Sequence, residues 1–134
     1  MTKLLEIEGI GETYAAKLEA AGIGSVEALL EACATPKGRD SVSEKTGISE
    51  KLILEWANHA DLFRIDGIGS EYADLLEEAG VDTVPELAQR NAAHLHAKMK
   101  EINEAKELVR RLPSEKQVEG WIEQAKALPR ALSY

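Results

Sequence analysis

Few side chains in this sequence are spaced for bond-making chemistry. Cys33 is the single cysteine, which leaves no intrachain disulfide and no cysteine metal site. The histidines are His59, His94 and His96. Residues two apart on a helix point to different sides, so His94 and His96 do not chelate one ion. No nucleophile sits in a recognisable strained turn beside a base, so covalent catalysis has no candidate. What does recur is Gly-x-Gly, as Gly9-Ile10-Gly11 and again as Gly67-Ile68-Gly69. A dinucleotide-binding fingerprint would need a third glycine three residues on and a preceding strand. Tyr14 and Tyr72 stand in the third-glycine place, no strand pattern precedes them, and no Gly-Lys-Ser/Thr phosphate loop is present. We therefore expect a non-enzyme with no catalytic residues, no cofactor and no metal ligands.

The glycine pairs belong to a longer repeat. Ile7-Glu8-Gly9-Ile10-Gly11 returns 58 residues later as Ile65-Asp66-Gly67-Ile68-Gly69. Both copies continue as Tyr-Ala-x-x-Leu-Glu-x-Ala-Gly, through Gly22 and Gly80. Leu4–Leu29 and Leu62–Leu87 agree at 13 of 26 positions, which marks an internal duplication. A second block, Ser49-Glu50-Lys51-x-Ile53-x-x-Trp56, returns as Ser114-Glu115-Lys116-x-Val118-x-x-Trp121 at an offset of 65. About seven residues were therefore gained between the two blocks in the second copy.

The elements that carry these blocks read as helices. Aromatic residues are only 4% of the chain, so Leu, Ile, Val and Ala must build the core. Ala, Leu, Glu and Lys are good helix formers, and β-branched runs are absent. Lys3–Ile7 reads as an extended lead-in. Gly9-Ile10-Gly11 then forms a tight turn in which glycine supplies φ > 0. A helix from Gly11 to Ala21 has Tyr14, Ala15, Leu18 and Ala21 on one face, and Gly22-Ile23 gives it a Schellman stop. Ser25, Thr35-Pro36 and Ser49 start the next three helices. In the second half, a helix runs from Gly69 to Ala79, and Thr83 with Glu86 at N3 spells a capping box. Asn91 caps a helix carrying Leu95, Met99 and Ile102. Trp56 and Trp121 fall on apolar stripes and read as core, and Tyr14 and Tyr72 read as packing against the neighbouring helix with the hydroxyl reaching polar surroundings. The boundary falls between units 1–62 and 63–134, without a flexible linker.

The pattern apolar-x-Gly-Ile-Gly-x-x-Tyr-Ala-x-x-Leu-x-x-Ala-Gly resembles the helix-hairpin-helix motif. The Thr46-Gly47-Ile48 region is similar to the degenerate second hairpin of paired helix-hairpin-helix domains. A similar plan is found in the C-terminal domain of the bacterial RNA polymerase α subunit. Phe63-Arg64-Ile65, Gly80–Leu87 and Leu108–Pro113 extend the resemblance, over nearly the whole chain, to an uncharacterised domain-of-unknown-function family of such tandem repeats. The resemblance implies an all-α fold of two tandem helix-hairpin-helix (SAM-like) units. It also implies that Gly9, Ile10, Gly11, Gly67, Ile68 and Gly69 are hairpin positions. There the apolar residue anchors the core, and the free N–H groups of the following helix bind a nucleic-acid phosphate.

Charge qualifies that expectation. The net charge of −8 removes any default attraction to nucleic acid or an anionic membrane. Glu8, Glu12, Asp66, Glu71 and Asp74 surround the two hairpins and oppose a phosphate. Lys17, about two turns into the first helix, makes the first copy the better placed. The basic segment Arg90–Lys116 carries Arg90, Lys98, Lys100, Lys106, Arg110, Arg111 and Lys116 against four acids. The expected function is a non-catalytic binding module that weakly contacts DNA or RNA backbone without sequence specificity. The alternative is a protein-interaction scaffold or self-associating protein with no nucleic-acid role. No apolar run is long enough for a signal peptide or membrane span, so no membrane role and a cytoplasmic location are expected.

Overall fold

The computed structural model describes residues 2–134. All regular structure among them is helical: α1 (Glu12–Ala20), α2 (Val26–Ala32), α3 (Pro36–Thr46), α4 (Glu50–Leu62), α5 (Ser70–Glu78), α6 (Val84–Ala88), α7 (Ala92–Lys106) and α8 (Glu115–Ala127). The chain divides into two compact units, one of residues 1–61 and 130–134, the other of residues 62–129. The last five residues thus belong with the first unit, whereas the repeat pattern assigns them to the second.

In the first unit the lead-in is a 3₁₀ turn, Leu4–Glu6, where an extended segment is expected. Leu4 and Ile7 are both buried there, and the turn is closed by Glu6 N–H to Lys3 C=O and Ile7 N–H to Leu4 C=O. The Gly-Ile-Gly turn follows, closed by the Ile10 amide donating to the Ile7 carbonyl at 3.1 Å. Gly9 has φ +95°, so the first glycine of the motif is the one that needs the left-handed region. Gly11 is extended at φ −92°, ψ −176°, and serves as the N-cap of α1. In the second copy too the first glycine supplies the φ > 0 that the turn needs, since Gly67 has φ +97° and Gly69 has φ −106°.

Helix α1 ends in the expected Schellman pair, Ile23 N–H to Leu18 C=O at 2.9 Å and Gly22 N–H to Glu19 C=O at 3.0 Å. Helix α5 repeats it with Val81 to Leu76 at 2.8 Å and Gly80 to Glu77 at 2.9 Å. Each stop turns the chain so that Ile23 or Val81 enters the core. Ser25, Thr35 and Ser49 cap α2, α3 and α4 through their hydroxyls, and Asn91 caps α7. Thr83 does not form the expected capping box. The Thr83 hydroxyl instead meets the Glu86 carboxylate at 3.5 Å. A complete capping box forms instead at α8, between Ser114 and Gln117.

The second unit is built on α8. Helices α6 and α7 pack against it, and α5 packs against α7. Leu76, Val84, Leu87, Leu95, Met99, Val118, Trp121 and Ile122 form its core. In the first unit, α1 and α2 pack on α3, with Leu18, Leu29, Val42, Ile53 and Trp56 buried. The indoles carry out the same task twice. Trp56 meets Tyr14 with ring centroids 5.1 Å apart, and Trp121 meets Tyr72 at 5.2 Å. Such inclined aromatic pairs add about 0.5–1.5 kcal/mol beyond their burial.

Candidate functional site

Each glycine turn ends on a helix whose first turn has no side-chain cap. The first intrahelical bonds are Ala15 N–H to Gly11 C=O and Ala73 N–H to Gly69 C=O, both 2.9 Å. The N–H groups that precede them in each first turn are the ordinary orphan donors of a helix start. A β-carbon on Gly11 or Gly69 would meet no heavy atom within 4 Å. Neither backbone angle nor packing therefore requires glycine at these two N-caps. Their bareness leaves the helix starts sterically open, and both glycines are exposed. Ile10 and Ile68 point the other way and are buried.

The first copy has little positive charge around this opening. Lys17 lies over the Tyr14 ring, 5.9 Å from its centroid, two turns along α1. Glu8 and Glu12 are exposed beside the hairpin.

The second copy is reinforced from α8 and from the inserted segment. The Gln124 side chain grips the hairpin main chain in both senses, accepting from Asp66 N–H at 2.9 Å and donating to the Asp66 carbonyl at 3.3 Å. The Tyr72 hydroxyl donates to the Arg111 carbonyl at 3.2 Å. This bond ties residues 107–113, the stretch lengthened relative to the first unit, to the first turn of α5. Arg110 and Arg111 are both exposed there. A recess of about 700 Å³ lies alongside, lined by Glu71, Asn103, Glu104, Glu107, Leu108, Val109 and Arg110. The inserted segment is shaped by Asn103, whose amide brackets Val109 by accepting from its N–H at 2.9 Å and donating to its carbonyl at 3.3 Å. Glu107 turns the chain out of α7 at φ +49°.

The basic segment separates into two groups. Arg90 donates to the Gly80 carbonyl at 2.8 Å and so completes the end of α5. Lys106 pairs with Glu78 at 2.8 Å. These two cations are committed within the unit, as is Arg64, which donates to the Pro129 carbonyl at 2.8 Å. Lys98, Lys100, Arg110, Arg111 and Lys116 are exposed. His96 meets the Pro113 carbonyl at 2.9 Å and holds the end of the inserted segment, while His94 is exposed. Among the described residues no group of three or more His, Cys, Asp or Glu is arranged to hold a metal ion. Nor is any helix among them long and apolar enough to cross a membrane.

Sequence reasoning did not find the Tyr72–Arg111 contact, because the partners are 39 residues apart. The one available signal was the offset change from 58 to 65, which located an insertion but not where it folds.

The chain is thus all-helical over the described residues, with a duplicated glycine turn. It belongs to the family described as a domain of unknown function (DUF4332), whose model matches residues 8–128. Comparison with curated proteins and with solved structures finds no match.

Proposed function

We propose that the chain is a non-catalytic tandem helix-hairpin-helix module that contacts nucleic-acid backbone without reading sequence. The observation that carries this reading is the Tyr72–Arg111 bond, which holds an exposed arginine pair beside the open start of α5. A helix start offers directed N–H donors and the positive end of the dipole to an anion. Arginine adds a planar fork of donors suited to phosphate. The second hairpin is therefore the stronger of the two, whereas sequence alone favours the first through Lys17. Asp66, Glu71 and Asp74 keep the affinity low, so contact is weak and strongly salt-dependent.

Fluorescence anisotropy with single- and double-stranded DNA, at two low salt concentrations, tests the reading. Binding at micromolar protein, weakened by salt and insensitive to base sequence, is the expected result. Absence of binding to either DNA at the lower salt would sink it.

One observation favours the alternative of a protein-interaction scaffold: the recess beside Arg110 is lined by the carboxylates of Glu71, Glu104 and Glu107. Such a mixed surface suits a charged protein partner. Capture of partners with and without nuclease treatment separates the two. Partners that survive digestion favour the scaffold, and loss of all partners favours nucleic acid.

A further inference from the structure

Residues 130–134 follow the second unit in the chain but form part of the first. They carry no helix and are held by directed bonds. Ser133 donates its amide to the Ala34 carbonyl at 2.8 Å, and its own carbonyl accepts from the Arg39 guanidinium at 2.9 Å. Leu132 is buried. The Tyr134 hydroxyl donates to the Asn58 side-chain carbonyl at 2.9 Å. Its ring lies under two guanidiniums, with Arg39 at 5.6 Å and Arg130 at 5.7 Å from the centroid.

Arg39 is the centre of this arrangement. It is only 6% exposed, and its other bond goes to the Cys33 carbonyl at the end of α2, at 3.0 Å. Both side-chain bonds therefore go to main-chain carbonyls, one supplied by the docked segment. A buried cation is costly when it lacks acceptors, so a groove without an occupant would leave Arg39 short of one. The groove thus specifies its occupant: an extended segment with a buried apolar side chain, a main-chain carbonyl for Arg39, and an aromatic ring next in line.

We propose that this groove is a peptide-recognition site, occupied in cis by residues 130–134 and in trans by the same segment of a second copy of the chain. The matching segment is carried by every copy, at the same concentration as the groove. In cis it competes at an effective concentration on the order of millimolar, so exchange between copies emerges at high protein concentration.

The test uses the full chain with Tyr134→Ala, a change at an exposed position that weakens only the internal occupant. A fluorescent peptide matching residues 128–134 should bind this variant saturably, and the unaltered chain at least tenfold more weakly. Arg39→Ala in the same background should abolish binding. Because Arg39 is buried, Asn58→Ala, with circular dichroism to verify folding, provides a second variant that should weaken it. A folded Tyr134→Ala chain that binds no peptide, or binds it no better than the unaltered chain does, overturns the recognition site. Sedimentation of the unaltered chain near millimolar concentration should reveal dimers that excess peptide dissolves. A monomer throughout overturns exchange between copies.

Discussion

The indole nitrogen of Trp121 lies 3.0 Å from the point that a β-carbon on Gly67 would occupy. Trp56 stands in the same relation to Gly9, at 3.3 Å. The two most conspicuous repeated features of the sequence, the glycine turn and the tryptophan helix, are therefore one feature. The turn is glycine because its φ is left-handed and because the indole closes the space above it.

Gly67→Ala should destabilise the protein by about 1–3 kcal/mol, the usual cost of holding a non-glycine residue in such a conformation. Gly9→Ala should do the same, less severely, since its indole is farther away. Gly11→Ala and Gly69→Ala should cost less, up to about 1 kcal/mol, because those positions are extended and open and lose only the N-cap preference for glycine over alanine. Chemical denaturation of the four variants measures this. Equal loss at all four positions would contradict the assignment of roles within the turn.

Tyr72→Phe removes one partly exposed hydrogen bond and keeps the ring against Trp121. The cost to global stability should be about 0.5–1.5 kcal/mol, toward the lower end for an exposed bond. Hydrogen exchange should nonetheless speed up in residues 107–113, which lose their tie to α5. Unchanged exchange in that segment would mean that Asn103 and His96 suffice to hold it.

If DNA binds through the second hairpin, Arg110→Ala together with Arg111→Ala should flatten the dependence of log affinity on log salt. Each lost phosphate contact on duplex DNA lowers the slope by about 0.9. Lys17→Ala should change it less. Titrations at several salt concentrations report this directly, and the opposite ranking would return the site to the first hairpin.

Two carboxylates give opposite pH signatures. Glu27 is held below its ordinary value of 4.5 chiefly by the Thr2 backbone N–H, at 2.8 Å, and then by the Thr2 hydroxyl, at 2.7 Å. Its stabilisation is present above the unfolded value and fades as pH falls through the folded one. Glu50 is raised above 4.5, first by a side-chain hydrogen bond with Asp40 and also by that carboxylate's charge. The folded state then binds its proton more tightly than the unfolded state, so stability declines as pH rises past 4.5 toward the folded value. Glu50→Gln should gain on the unaltered protein as pH rises above 4.5, and Glu27→Gln should lose ground as pH rises toward 4.5 from below. Melting curves from acid to neutral pH decide both.

Cys33 is buried, and burial pushes its thiol up to about 11. At neutral pH it should resist alkylation in the folded protein and react at the pace of opening. Rapid native-state labelling would show that the α2 end is less closed than the docked Arg39 implies.

Much of the fold was legible in the sequence. The caps at Ser25, Thr35, Ser49 and Asn91, the Schellman stops at Gly22 and Gly80, and the core tryptophans follow from local rules and helical spacing. Those signals are short in range, and the chain carries them within a few residues of where they act. Thr83 shows the limit even there, since its hydroxyl meets the Glu86 carboxylate and does not cap the helix.

What only the tertiary structure decided lies in contacts between distant residues. The space that would receive a side chain on Gly9 or Gly67 is closed by a tryptophan 47 residues away in the first copy and 54 in the second. The loop of residues 107–113, longer than its counterpart after α3, is tied to α5 through Tyr72 and Arg111. Arg90 and Lys106, read from sequence as members of one basic segment, are spent on Gly80 and Glu78. Residues 130–134 join the first unit because Arg39, Ala34 and Asn58 offer acceptors and donors that no sequence period encodes. Periodicity identifies a face to be buried, whereas the partner that buries it is chosen by the packed fold.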